Sequence, residues 1–168
     1  GADDSGARMT IPLMPARSPA QWRQARRLVE AYVASLDMDL AFQGIVHELD
    51  NLPAVYGAPK GAFLLAQDSR RFVGCAGLRP LAGDAGEIKR LYVSPAVRGR
   101  GLGRNLAEGI IAVARELGYA RLLLDTLPSM ARARSLYESL GFRAIAPYRH
   151  NPVLGTTFLE LALQGRSR

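Results

Sequence analysis

The densest chemical signal in the chain is a glycine-spaced turn, Arg98-Gly99-Arg100-Gly101-Leu102-Gly103-Arg104. Glycines at alternate positions let a backbone come close to a ligand and take conformations that a side chain forbids. A helical apolar period starts at the same place, with Leu102, Leu106, Ile110, Val113 and Leu117 on one face. The first N–H groups of that helix have no partner within it and point into the turn, which makes the turn an anion site. The helix dipole adds about 0.3–1 kcal/mol per charge at an exposed site, and Arg98, Arg100 and Arg104 bring cations to the same spot. A diphosphate suits this arrangement. No Gly-Lys-Ser or Gly-Lys-Thr ending follows, so a Walker P-loop is excluded. A dinucleotide fingerprint needs a glycine where Arg104 stands, and it usually opens its domain, whereas this turn lies mid-chain.

Other reactive side chains are sparse. Cys75 is the sole cysteine, which excludes an intramolecular disulfide. Within the apolar run Phe72–Leu78 it reads as a small core residue. His47 and His150 lie in other segments, and His47, on an expected helix, reads as structural. No His, Cys or carboxylate cluster has metal-ligand spacing, so no metal is expected.

These groups must be positioned by regular elements. Thr10–Pro15 reads as a first strand. Ser18-Pro19-Ala20-Gln21 has the cap, first-turn proline and reciprocal glutamine of a capping box, so a helix is expected to about Leu36. A second helix is predicted over Leu40–Leu49, and Pro53, Gly57 and Pro59 make 51–61 a loop. Ala62–Ala66 and Phe72–Leu78 form a hairpin pattern, and Glu87–Val93 is a further strand ended by Pro95. After the glycine turn and its helix, Arg121–Thr126 with Leu122-Leu123-Leu124 suits a buried parallel strand. Pro128–Leu140 is a helix closed by Gly141, and Phe142–Tyr148 and Thr156–Leu163 are the last strands. The order predicts an α+β (α/β mixed) fold, with a central mixed sheet of about six to seven strands flanked by helices.

Two motifs separated by the expected strand carry a family resemblance. Arg98-x-x-Gly101-x-Gly103 at a helix start resembles motif A of the GNAT superfamily of N-acetyltransferases. Ala133-Arg134-Ser135-Leu136-Tyr137-Glu138-Ser139-Leu140-Gly141-Phe142 is similar to the ending of a later helix in that family. The match runs from about Glu87 to Phe142. The resemblance implies splayed parallel strands around an acetyl-CoA cleft, near Leu91 and Arg121–Thr126. Leu91-Tyr92-Val93 would take the pantetheine arm and thioester, and Arg98, Gly99, Arg100, Gly101, Gly103 and Arg104 the diphosphate. Many members carry Asn where this chain has Met130, which removes one pantetheine contact. Tyr137 matches the family's acid for the leaving thiolate, protonated with a reference pKa near about 10. Glu87, four residues before Leu91, stands where some members carry a base; burial would raise its pKa towards about 6–7, and cationic neighbours would lower it. Tyr56, Tyr148, Arg149 and His150 sit in or beside loops that rim the cleft in that fold, and Arg79 is placed to pair an acceptor carboxylate.

Composition bounds the alternatives. The 168 residues suit one domain, expected over 9–168 behind a polar tail at 1–8, with Met9 the expected natural start. The net charge of +7 rests on scattered arginines, with Lys60 and Lys89 the only lysines. It comes with no stacking motif or zinc spacing, so no nucleic-acid partner is expected. No apolar run reaches membrane-spanning length and no signal-peptide core is seen, so no membrane partner and a cytoplasmic location are expected. Acetyl transfer to a small-molecule amine leads. A protein amine as acceptor, and a silent acyl-CoA sensor on the same fold, are the alternatives. Phe158–Leu163 at a sheet edge would support a homodimer.

Overall fold

The computed structural model describes residues 10–36 and 44–163. The expected polar tail lies outside the described residues, as do residues 40–43 of the second predicted helix. Strand β1 is Leu13–Pro15, β2 Ala62–Asp68, β3 Arg71–Pro80, β4 Ala85–Val93, β5 Arg121–Thr126, β6 Arg143–Ile145 and β7 Thr157–Ala162. They form one sheet in the order β1-β2-β3-β4-β5-β7-β6. All neighbours are antiparallel except β4 and β5. The mixed α+β architecture and seven strands agree with the sequence reading.

Both faces of the sheet are covered, and strand alternation sorts the side chains between them. Helix α1 (Pro19–Ser35) and the short α2 (Ile45–Asp50) and α3 (Leu52–Tyr56) cover one face. There Ala25, Leu28, Val29 and Leu52 pack with Phe63, Leu65 and Cys75. Helix α4 (Leu102–Glu116) covers the other, where Leu106 and Ile110 pack with Leu64, Ala66, Ala76, Leu78 and Ile88. Tyr137 of α5 (Ala131–Ser139) and Phe142 extend this second core. The capping box forms as expected: Gln21 N–H donates to Ser18 Oγ at 3.1 Å, and Ser18 N–H to Gln21 Oε1 at 3.0 Å. Among the described residues no helix is long and apolar enough to cross a membrane.

Three expectations are corrected. The 51–61 segment contains α3, and its Tyr56 is fully buried, far from rimming a cleft. Gly77 makes room for it, since a Cβ there would lie 2.7 Å from the Tyr56 ring. Helix α5 starts at Ala131, because Pro128 to Met130 are held in a turn by Met130 N–H to Leu127 O at 2.9 Å. Phe158–Leu163 is no edge: β7 runs between β5 and β6, and the sheet ends on three-residue strands.

One irregularity sets the shape of the sheet. Between Cys75↔Tyr92 and Gly77↔Lys89, a step of two residues on β3 answers a step of three on β4. Arg90 occupies the extra place with φ +62°, a left-handed conformation unfavourable for any side chain but glycine. Its guanidinium meets Glu48 of α2 bidentately, Nε to Oε2 at 2.7 Å and Nη2 to Oε1 at 2.9 Å. Tyr56 also donates to Glu48, at 3.0 Å, and the Cys75 thiol donates to the Arg90 carbonyl at 3.3 Å. Burial pushes the Cys75 thiol up, so it stays protonated and serves as a donor.

Burial alone would raise the Glu48 carboxyl, but Arg90 and the Tyr56 hydroxyl outweigh it and hold the group below the usual carboxylate range. A depressed folded value stabilises the fold above the unfolded value, about 4.3, and that contribution is lost as pH falls through the folded one. Glu48→Gln leaves a buried guanidinium short of its charge partner. We expect it to lower the unfolding free energy by about 3–5 kcal/mol in urea denaturation at pH 7, with a smaller difference from the parent at acid pH.

Candidate active site

The sheet opens at its parallel junction. β4 and β5 pair only from Ala85–Glu87 to Arg121–Leu123. β4 stays bonded to β3 as far as Val93, and β5 to β7 as far as Thr126. The facing edges beyond Glu87 and Leu123 therefore have no strand between them, and their amide and carbonyl groups need other partners. A cavity of about 590 Å³ fills the wedge. An extended guest lying along these edges would complete the backbone bonding as an added strand does.

At the mouth, Gly99 (φ +81°) and Gly101 (φ +76°) hold the turn in left-handed conformations, and Gly101 is the N-cap of α4. A Cβ on either would meet nothing within 4 Å, so the turn borders open space, as an anion cradle must. Leu91, Tyr92, Val93, Arg98, Gly99, Gly101, Gly103 and Arg104 all line the cavity. Arg100 does not. It turns away to an exposed ion pair with Asp68, Nη1 to Oδ2 at 3.4 Å. Arg104 bridges α4 to α5, meeting Glu108 and Ser139 Oγ, each at 3.1 Å.

Tyr137 lies in the wall of the same cavity, its ring edge-on to Phe142 at 5.3 Å. Its hydroxyl has no hydrogen-bond partner among the described residues. Burial, and then the nearby Tyr32, push its pKa well above the tyrosine norm. The hydroxyl therefore stays protonated at any physiological pH.

Glu87 behaves differently from the expected base. It is fully buried and absent from the cavity wall. Its carboxylate accepts from Arg79 Nε at 2.8 Å, Tyr148 Oη at 2.6 Å and Arg149 Nη2. Burial pushes the pKa up, but the charge of Lys89, the Arg149 bond, the charge of Arg79 and the Tyr148 bond together hold it down. The rise that burial alone predicts is reversed. Glu87 thus gathers Arg79, Tyr148 and Arg149, and ties the segment after β6 down over the sheet. Tyr148 packs edge-on to Phe158 at 5.2 Å, and Arg149 lies over the Tyr148 ring. His150 is exposed and makes no contribution to this cluster.

Two cavity residues escape the sequence reading. Lys89 is 6% exposed, lines the wedge, and makes no hydrogen bond or ion pair among the described residues. Burial, then the charge of Arg90, lowers it to about 8, against the pull of Glu87 and Asp125. Asp125 lines the wedge from β5, with Oδ2 buried and unpartnered among the described residues. The only local signals were a lysine alternating with Glu87 and an acid ending a leucine run, both common in half-exposed strands. Among the described residues no group of His, Cys, Asp and Glu could hold a metal.

A mixed sheet wedged open beside a glycine-lined helix start, with a tyrosine hydroxyl facing the wedge, is the architecture of the N-acyltransferase class. The acetyltransferase (GNAT) family profile matches residues 23–142. An uncharacterized N-acetyltransferase of Schizosaccharomyces pombe is 37% identical over 155 residues, covering 91% of this chain and 95% of that protein. The chain belongs to the GNAT acetyltransferase family. Solved structures share the fold. A GNAT-family acetyltransferase from Staphylococcus aureus superposes with a TM-score of 0.76 at 20% identity, over 92% of this chain and 100% of that one. A structure from Salmonella typhimurium described as an acetyltransferase with its cofactor acetyl-CoA gives 0.66 at 21% identity, over 95% and 97%.

Lys89 and Lys60 are the only lysines, so lysine labelled with 13C at Cε gives two side-chain signals. The one that survives Lys60→Arg is expected to titrate with a midpoint near about 8.

Proposed function

We propose that this protein is an N-acetyltransferase that moves an acetyl group from acetyl-CoA to the primary amine of a small molecule by direct attack, with both substrates bound. The observation that carries this reading is the wedge. Unpaired backbone edges on β4 and β5 lead from a glycine cradle at the start of α4 to a buried, unpartnered tyrosine hydroxyl. The donor fits: an anionic diphosphate suits the Gly99–Gly103 turn with Arg98 and Arg104 beside it, and a polar extended arm suits the strand edges. The solved relative from Salmonella typhimurium, described with acetyl-CoA, supports the same donor. A small acceptor is supported by Glu87, which holds Tyr148 and Arg149 down over the sheet and leaves less room there for a protein acceptor.

The thioester supplies an activated acetyl carbon that a free amine converts to an amide, with release of a thiol. The turn amides and the strand edges hold and orient the donor. Tyr137 gives its hydroxyl proton to the departing sulfur, and the proton shed by the acylated nitrogen balances the one Tyr137 loses. Cover from α1, whose Tyr32 and Ser35 line the cavity, helps keep water from competing with the amine.

Gly103 offers a clean test of the cradle. It lies inside α4 without a positive φ, and a Cβ there would make only 3.7 Å contacts with Leu136 and Val93. Gly103→Glu thus places a carboxylate against the diphosphate site while suiting the start of a helix. Calorimetry should show micromolar acetyl-CoA binding by the parent, and binding weaker by about tenfold or more in the folded variant. No binding by the parent rejects the proposal. Tyr137→Phe removes the thiol's acid and should lower kcat by about 10²–10⁴ in a thiol-release assay, with acetyl-CoA affinity kept.

A further inference from the structure

Lys89 and Asp125 are related by the register of the fork itself. Glu87 and Leu123 are the last paired residues of β4 and β5, and Lys89 and Asp125 each stand two places beyond. Side chains two apart share a face, so both lie on the side opposite the core of Leu122, Leu124 and Ile88. They confront one another across the gap where the strands part. Both line the cavity, and no ion pair joins them. Lys89 is nine-tenths buried without a partner among the described residues, and the Asp125 Oδ2 is a buried acceptor without a donor. A charge held out of water without a bonded partner is unfavourable; Lys89 and Asp125 feel one another's charge, yet no bond joins them across the cavity.

The surroundings do not supply the missing partners. Glu87, the acid nearest to Lys89 in sequence, already accepts from Arg79, Tyr148 and Arg149. Arg90 and Glu48 are paired to each other. Among the described residues that line the wedge, the cations Lys89, Arg98 and Arg132 outnumber the one carboxylate, Asp125, even with Arg90 and Arg104 paired to Glu48 and Glu108, so the wedge is net positive and attracts an anionic group.

We propose that Lys89 and Asp125 form a two-pole acceptor subsite: Asp125 receives the amino group and Lys89 the carboxylate of an amino acid. The acceptors are therefore amines that carry a carboxylate, and the side chain of the amino acid faces Tyr32 and the wall of α1. This deepens the acetyltransferase reading and rests on it. Polyamines and simple alkylamines are disfavoured, because they would set a second cation against Lys89.

The test is acetyl transfer by the full chain, followed by thiol release, to α-, β- and γ-amino acids, each beside its carboxamide. The amide keeps the amine and the side chain and removes only the negative charge. At least one acid should exceed its amide in kcat/KM by about a hundredfold. Lys89→Met should bring that ratio to within about threefold of one, and Lys89→Arg should retain most of it. Asp125→Asn should lower kcat/KM for acid and amide alike, by about tenfold or more. Circular dichroism and acetyl-CoA calorimetry check that each variant folds and binds donor, and Lys89→Gln replaces Lys89→Met should the latter not fold. Amides or plain amines that match the acids overturn the inference. So does a parent that binds acetyl-CoA but acetylates no acid, or a Lys89→Met that keeps the acid preference. A parent that fails to bind acetyl-CoA rejects the acetyltransferase reading, and this inference with it.

Discussion

The site depends on a single extra residue in β4. A regular β4 would carry its pairing with β5 to the end of both strands and close the sheet. The bulge at Arg90 adds local twist just past Glu87, where the pairing with β5 stops and two inner edges of backbone are left with unmet hydrogen bonds. A left-handed arginine does not hold itself in place, because that conformation is unfavourable without compensation. The compensation is the bidentate bond to Glu48, reinforced by Tyr56 and by the Cys75 thiol on the Arg90 carbonyl. Helices α2 and α3 therefore act beyond covering a face, since they carry the carboxylate and the phenol that pin the bulge.

Buried charge is distributed unevenly around that opening. Glu48 and Arg90 neutralise one another, with exposures of a few per cent. Glu87 is matched by two guanidinium groups and a phenol, so it serves as an anchor for the segment after β6 and holds its charge to low pH. Lys89 and Asp125 remain, each facing the cavity. Such leftovers are rare in a well-packed interior, because desolvation without a partner opposes folding. Both line the cavity just beyond the last pair of β4 with β5.

Much of the fold was legible in local patterns. The capping box of α1 and the period of α4 lie in contiguous residues, and local physics dominates there. The cradle was legible for the same reason: positive φ at Gly99 and Gly101 and a helix starting at Leu102 need no distant partner. Long-range partners erased other expectations. Tyr56 lies between Pro53 and Pro59 in a loop-like stretch, yet Glu48 and Gly77 draw it into the core. Arg100 sits among the cradle arginines, yet Asp68 takes it away.

The sequence by itself determined the order of the strands and of the helices other than α3, the glycine cradle and the tyrosine on the last helix, because each depends on spacing within one segment. Tertiary structure alone decided how the charged side chains around the cavity are paired. Glu87, Lys89 and Arg90 are neighbours in one strand, and their fates are set by Arg149 sixty-two residues on, by Asp125 across the fork, and by Glu48 forty-two residues back. A charge takes its role from what stands within a few ångströms of it in a low-dielectric interior, and that neighbourhood exists only once the chain has folded.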